Sequence, residues 1–163
     1  MNRIVRTLIW ICLFLGAAPA FAVQSVRVPI ESETIDLTGA VERFSAQGDR
    51  IQVSTAPGKD GIIRRIEVSA LEAGVQPAWI VFALTNDSDE QFTRLIVAPH
   101  YRLVGSGVIW PDLGSTRISA ITASQGGPPE RIDTINADVF RLTLDPGSTV
   151  TYVAELRDRK SVV

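Results

Sequence analysis

Ala78-Trp79-Ile80-Val81-Phe82-Ala83-Leu84-Thr85 is the stretch that decides the fold. It is nearly all apolar, as a strand buried in a packed sandwich is. At the two-residue period of a strand, Trp79, Val81 and Ala83 share one face and Ile80, Phe82 and Leu84 the other. Both faces are expected to be covered, with this strand central between packed layers.

The pattern continues in both directions. Residues 26–30 form a short extended piece broken by Pro29. Residues 62–70 (IIRRIEVSA) put Ile62, Arg64, Ile66, Val68 and Ala70 on one face. Residues 92–98 (FTRLIVA) set Phe92, Arg94, Ile96 and Ala98 against Leu95 and Val97. Shorter runs follow at 101–104 and 108–110, then longer ones at 117–122, 139–144 and 149–156. In the last, Val150, Tyr152, Ala154 and Leu156 oppose Thr151, Val153 and Glu155, the pattern of a half-buried strand. Turn residues separate these runs at Asn86-Asp87-Ser88-Asp89, Gly126-Gly127-Pro128-Pro129 and Asp145-Pro146-Gly147. The spacing predicts an antiparallel β-sandwich. One stretch departs from it: residues 38–47 predict a short helix, with Thr38 as N-cap, Val41 and Phe44 on one face, and Gly48 closing the end.

Residues 1–22 predict an export signal. Arg3 and Arg6 precede an apolar core, LIWICLFL at residues 8–15, and Ala20-Phe21-Ala22 forms a cleavage site with the cut before Val23. The core is shorter than the about 20 residues a membrane helix needs. Removing 22 residues from 163 leaves 141, a mature domain at 23–157 plus a tail at 158–163. Cys12 leaves with the signal, so the mature chain holds no disulfide and no cysteine metal site. That suits a periplasmic location. The net charge of −2 becomes about −4 once Arg3 and Arg6 are gone. No basic stripe addresses nucleic acid, and no Lys/Arg cluster addresses anionic lipid. The strand at 149–156 runs directly into Arg157-Asp158-Arg159-Lys160 and then Ser161-Val162-Val163, which reads as a truncated or foreign tail.

No catalytic set, cofactor motif or metal-ligand spacing emerges. His100 has no G-x-S-x-G partner and reads first as a hydrogen-bonding residue at a strand edge. Residues 86–90 are rich in oxygen ligands but lack the Gly and distal Glu of a calcium loop, and read as a solvated hairpin turn. Gly58-Lys59 is followed by Asp60 and makes no phosphate loop. The richest stretch is Pro99-His100-Tyr101-Arg102-Leu103-Val104-Gly105-Ser106-Gly107-Val108-Ile109-Trp110-Pro111-Asp112. Its Gly-Ser-Gly hinge can turn the chain sharply. His100, Arg102, Trp110 and Asp112 then form a candidate ligand-binding set, with an aromatic floor and a charged rim suited to amphipathic, sugar-like molecules. The competing reading puts Trp110 and Tyr101 in the core, with Arg102 and Asp112 solvated.

The run over residues 35–156 resembles the exported N-terminal sensor domain of alphaproteobacterial membrane GGDEF/EAL signalling proteins. The residues that carry the resemblance are Gly48-Asp49-Arg50-Ile51-Gln52-Val53-Ser54-Thr55, Asn86-Asp87-Ser88-Asp89-Glu90-Gln91, Ala98-Pro99-His100-Tyr101-Arg102-Leu103-Val104-Gly105-Ser106-Gly107, Ile109-Trp110-Pro111-Asp112-Leu113-Gly114, Ala137-Asp138-Val139-Phe140-Arg141 and Asp145-Pro146-Gly147. Such a domain is similar in role to the extracellular jelly-roll sensor of seven-transmembrane receptors with diverse intracellular signalling modules. The resemblance implies an all-β, jelly-roll-like single sandwich that senses a small molecule outside the cytoplasm. It also implies attachment to the membrane through a C-terminal continuation and cyclic di-GMP chemistry in a longer parent. This chain has no GGDEF or EAL motif, so the catalytic activity is not carried over and the chain itself is read as no enzyme. Two other readings stay open: a freestanding periplasmic binding or adhesive module, and, more distantly, a small exported carboxylate-dependent hydrolase.

Overall fold

Alternation of apolar and polar side chains drives twelve strands in the computed structural model, which describes residues 22–31, 34–45, 48–100, 102–103, 109–110 and 116–158. They are β1 Ser25–Arg27, β2 Glu42–Ser45, β3 Arg50–Ser54, β4 Arg65–Ser69, β5 Ala78–Thr85, β6 Phe92–Pro99, β7 Arg102–Leu103, β8 Ile109–Trp110, β9 Thr116–Ala123, β10 Glu130–Ile132, β11 Ala137–Leu144 and β12 Thr149–Asp158. For β7 and β8 only the backbone is described. The expected signal segment up to residue 21, the Gly-Ser-Gly hinge, Tyr101, Asp112 and residues 159–163 lie outside the described residues.

The fold is all-β, layered and sandwich-like. The central sheet runs β1-β5-β12-β9, and β2 pairs with β5 on the same side as β1, further along the strand. A second sheet runs β10-β11-β6, and β3 pairs with β4 in a two-stranded layer. Ile80, Phe82 and Leu84 join Tyr152, Phe140, Leu142 and Leu144 in one buried cluster, where Phe82 and Tyr152 stack with centroids 5.3 Å apart. Trp79, Val81 and Ala83 join Val153, Ile51, Val53 and Val68 in another. β5 is thus covered on both faces. Val23, the residue expected to follow the signal cut, belongs to the second cluster.

Three expectations fail for identifiable reasons. Among the described residues there is no helix at 38–47. Thr38 donates its N–H to Asp36 Oδ1, Ala40 closes a turn on Leu37, and the chain enters β2. Val41 packs into the first cluster and Phe44 into the second. A spacing of three aligns side chains on a helix but sends them to opposite faces of a strand. Pairing with β5 (Glu42 opposite Val81, Ser45 opposite Ala78) gives the backbone partners that a short, marginal helix would otherwise supply. β12, expected to be half-buried, is buried from Val150 to Leu156. The β3–β4 layer covers its second face. There Thr151 Oγ1 accepts the Ala56 N–H at 2.9 Å, and the Glu155 carboxylate accepts from Leu71 N–H at 2.8 Å and Arg157 Nε at 2.5 Å. Glu155, then Glu72, raise the Arg157 guanidinium above its ordinary range.

Asn86-Asp87-Ser88-Asp89 is a corner between sheets, not a hairpin, since β5 and β6 belong to different sheets. Asn86 is 0% exposed. Its Nδ2 donates to the carbonyls of Glu90, Leu144 and Asp145, and its Oδ1 accepts from Ser88 N–H and Oγ. One amide therefore ties this corner to the parallel corner at Asp145-Pro146-Gly147, where Gly147 takes the positive φ of 60° that a side chain resists.

Candidate functional site

The opposite end of the layers carries the other buried acid. β11 sends Asp138, Phe140, Leu142 and Leu144 inward, so Asp138 faces the interior beyond the apolar cluster and is 3% exposed. Burial of a carboxylate requires donors. Its Oδ2 accepts the Ile118 N–H at 2.8 Å, and Oδ1 meets Arg131 NH2 at 3.3 Å and His100 Nε2 at 3.2 Å. Ile118 belongs to β9 in the central sheet, so this carboxylate bridges two layers. A register shift in the β12–β9 ladder, between Glu155 and Leu156, falls opposite this point. Such a bulge releases backbone groups from the ladder. The guanidinium of Arg131 uses them, donating NH1 to Ile118 O at 2.9 Å and Ser119 O at 3.1 Å while lying 5.5 Å above the Phe140 ring.

His100 follows β6 directly. Its backbone N–H bonds Asn136 O at 2.8 Å, extending the β6–β11 ladder by one residue. Its ring sits between two acceptors, Ile135 O at Nδ1 (3.2 Å) and Asp138 at Nε2. Both contacts are hydrogen bonds at once only when both ring nitrogens carry protons.

Beyond His100 the chain forms a small antiparallel pair in which Arg102 is the backbone partner of Trp110 and Leu103 of Ile109. Three of the four expected site residues are therefore close along one excursion: His100 at its base, Arg102 and Trp110 across from one another. Asp112 lies outside the described residues. Asp138 and Arg131 were not anticipated. The signal for Asp138 was an acid in phase with three inward apolar residues of the same strand. Arg131 gave no comparable signal, because β10 is only three residues long.

Among the described residues no group of three His, Cys, Asp or Glu side chains is placed to hold a metal ion. Two exposed carboxylates titrate below their ordinary range: Asp60 through its Arg64 partner, and Glu67 through Gln52 and Arg50. Both lie on or beside the β3–β4 layer, away from Asp138. No helix among the described residues is long and apolar enough to cross a membrane. No protein-family model, curated protein or solved structure matches the chain.

Proposed function

We propose that the chain is the extracytoplasmic ligand-sensing domain of a membrane-bound cyclic di-GMP signalling protein, built as a single jelly-roll-like β-sandwich. In this reading the His100–Trp110 excursion is the ligand face. The observation that carries it is the backbone pairing of Arg102 with Trp110 just past an anchored His100. The Asp138–Arg131 bridge gives the excursion a rigid base, as a binding loop on a scaffold requires. Trp110 stacks on an apolar ligand surface, Arg102 and Asp112 hold its polar groups, and His100 fixes the hinge.

A thermal-shift screen with mono- and disaccharides tests this. A ligand at 100 times its dissociation constant adds about 2.7 kcal/mol of stability. Trp110→Ala and Arg102→Ala, each shown to remain folded, are expected to lose that gain. Retention of the full gain by the folded variants places the ligand elsewhere. Parentage is tested separately by reading the frame beyond Val163 for apolar spans and a GGDEF or EAL motif.

A further inference from the structure

The long outer edge of β6 has a hydrogen-bonding pattern that fits itself. The His100 N–H to Asn136 O bond, with the β6–β11 register, makes residues 92, 94, 96 and 98 the ones bonded to β11. Residues 93, 95, 97 and 99 therefore direct their backbone groups to the other side, where no described strand pairs with them. Leu95 and Val97 are 51% and 53% exposed, and Thr93 and Pro99 are exposed as well. The comparable edge, β9, is protected: it is bulged, and Arg131 takes two of its carbonyls. The β1 and β2 edges are only three and four residues long.

Two irregularities limit what can pair with β6. Pro99 offers a carbonyl but no N–H. The Thr93 carbonyl already accepts Arg94 NH1 at 3.0 Å, and NH2 of the same guanidinium is tied to Pro29 O at 3.2 Å and Ile30 O at 2.5 Å. We propose that two copies of this chain dimerise by antiparallel pairing of their β6 edges, with Leu95 opposite Val97 and Thr93 opposite Pro99 across a two-fold axis at Ile96. In this register the N–H groups of Thr93, Leu95 and Val97 all find carbonyls. The one carbonyl facing a proline nitrogen is Thr93 O, which Arg94 has already satisfied. Slipping by one pairing step in one direction strands the Thr93 N–H. Slipping in the other sends the Val97 N–H onto the occupied Thr93 carbonyl. The four outward side chains are uncharged, so the pairing brings no like charges together, and it covers Leu95 with Val97 of the other copy. The result joins two three-stranded sheets into one of six strands, an isologous interface.

The full chain carrying Cys12→Ser is expected to sediment at twice its 17.7 kDa mass as concentration rises. Val97→Pro removes an outward N–H and leaves the β11 ladder whole, so it is expected to yield a monomer with an unchanged circular dichroism spectrum. Leu95→Lys, a charge on the paired edge, is expected to do the same and serves if the proline variant melts without cooperativity. The register is read by cysteine cross-linking. Mixed Leu95→Cys and Val97→Cys chains face each other within disulfide reach, whereas like positions lie on the diagonal, too far to bridge. The mixture is expected to cross-link several-fold more than either variant alone. A monomeric mass at every concentration, a dimer that survives both edge variants, or equal cross-linking in all three samples overturns the proposal.

Discussion

Asn86 and Asp138 perform the same task at opposite ends of the layers with different chemistry. Each is a buried polar side chain that links strands of two sheets. Asn86 does so as a neutral amide whose partners are the carbonyls of Glu90, Leu144 and Asp145 and the N–H and hydroxyl of Ser88. The amide itself carries no charge that must be balanced. Asp138 does so as an acid whose partners include two cation-forming side chains, His100 and Arg131. The first end is fixed by local chain geometry. The second depends on side chains from β10 and β11, on the backbone of β9 and on the segment entering the candidate ligand face. The contrast sets a neutral, locally closed tie at one end against a charged tie between layers at the other.

Exchanging the two residue types is the strongest way to break the comparison. Asn86→Asp sets a buried carboxylate against three carbonyl oxygens, in a corner that already holds Asp87 and Asp145. A loss of about 3–5 kcal/mol is expected in denaturant unfolding, the range for an uncompensated buried charge. The reverse exchange, Asp138→Asn, keeps an oxygen for the Ile118 N–H but gives up the charge shared with Arg131 and His100. It is expected to cost less, about 2–3 kcal/mol. Equal losses from the two exchanges erase the distinction between the ends.

A smaller effect sharpens it. Burial, then the Asp145 charge, push the Tyr152 phenol up to about 12. The folded chain then holds this proton more tightly than the unfolded chain, whose tyrosines titrate near 10. The stability tied to it is complete below about pH 10 and is lost as pH rises from there toward 12. Tyr152→Phe is expected to remove roughly 2 kcal/mol of that alkaline loss, read as the difference between the two pH profiles of the unfolding midpoint.

Strands whose faces alternate cleanly were legible in the sequence. β5 shows two apolar faces and is covered on both; β6 separates Phe92, Arg94, Ile96 and Ala98 from Leu95 and Val97, and the structure turns Phe92, Ile96 and Ala98 toward the core. Legibility ended where a tertiary partner overrode a local pattern. Val41 and Phe44 carry a spacing that suits a helix until the β5 edge recruits the segment as β2. Thr151 and Glu155 look solvent-facing until the β3–β4 layer covers them with donors. β3 and β10 passed without notice as strands, the second because three residues hold too little alternation to read. At the candidate site His100, Arg102 and Trp110 stood out by residue type, but Asp138 takes its meaning from Ile118 and Arg131, twenty and seven residues away. No local window contains all three.

β12 is the middle of the central sheet, and its partners come from distant stretches of sequence. It supplies eight residue pairs to β5 and seven to β9. Until it arrives, β9 has no neighbour in that sheet and the two apolar clusters lack Tyr152 and Val153. The sheet therefore forms through contacts between distant positions, which makes folding slow. A chain of this kind stays open while its outer strands wait for their centre. That interval is when Trp79 to Leu84 lie open to other chains.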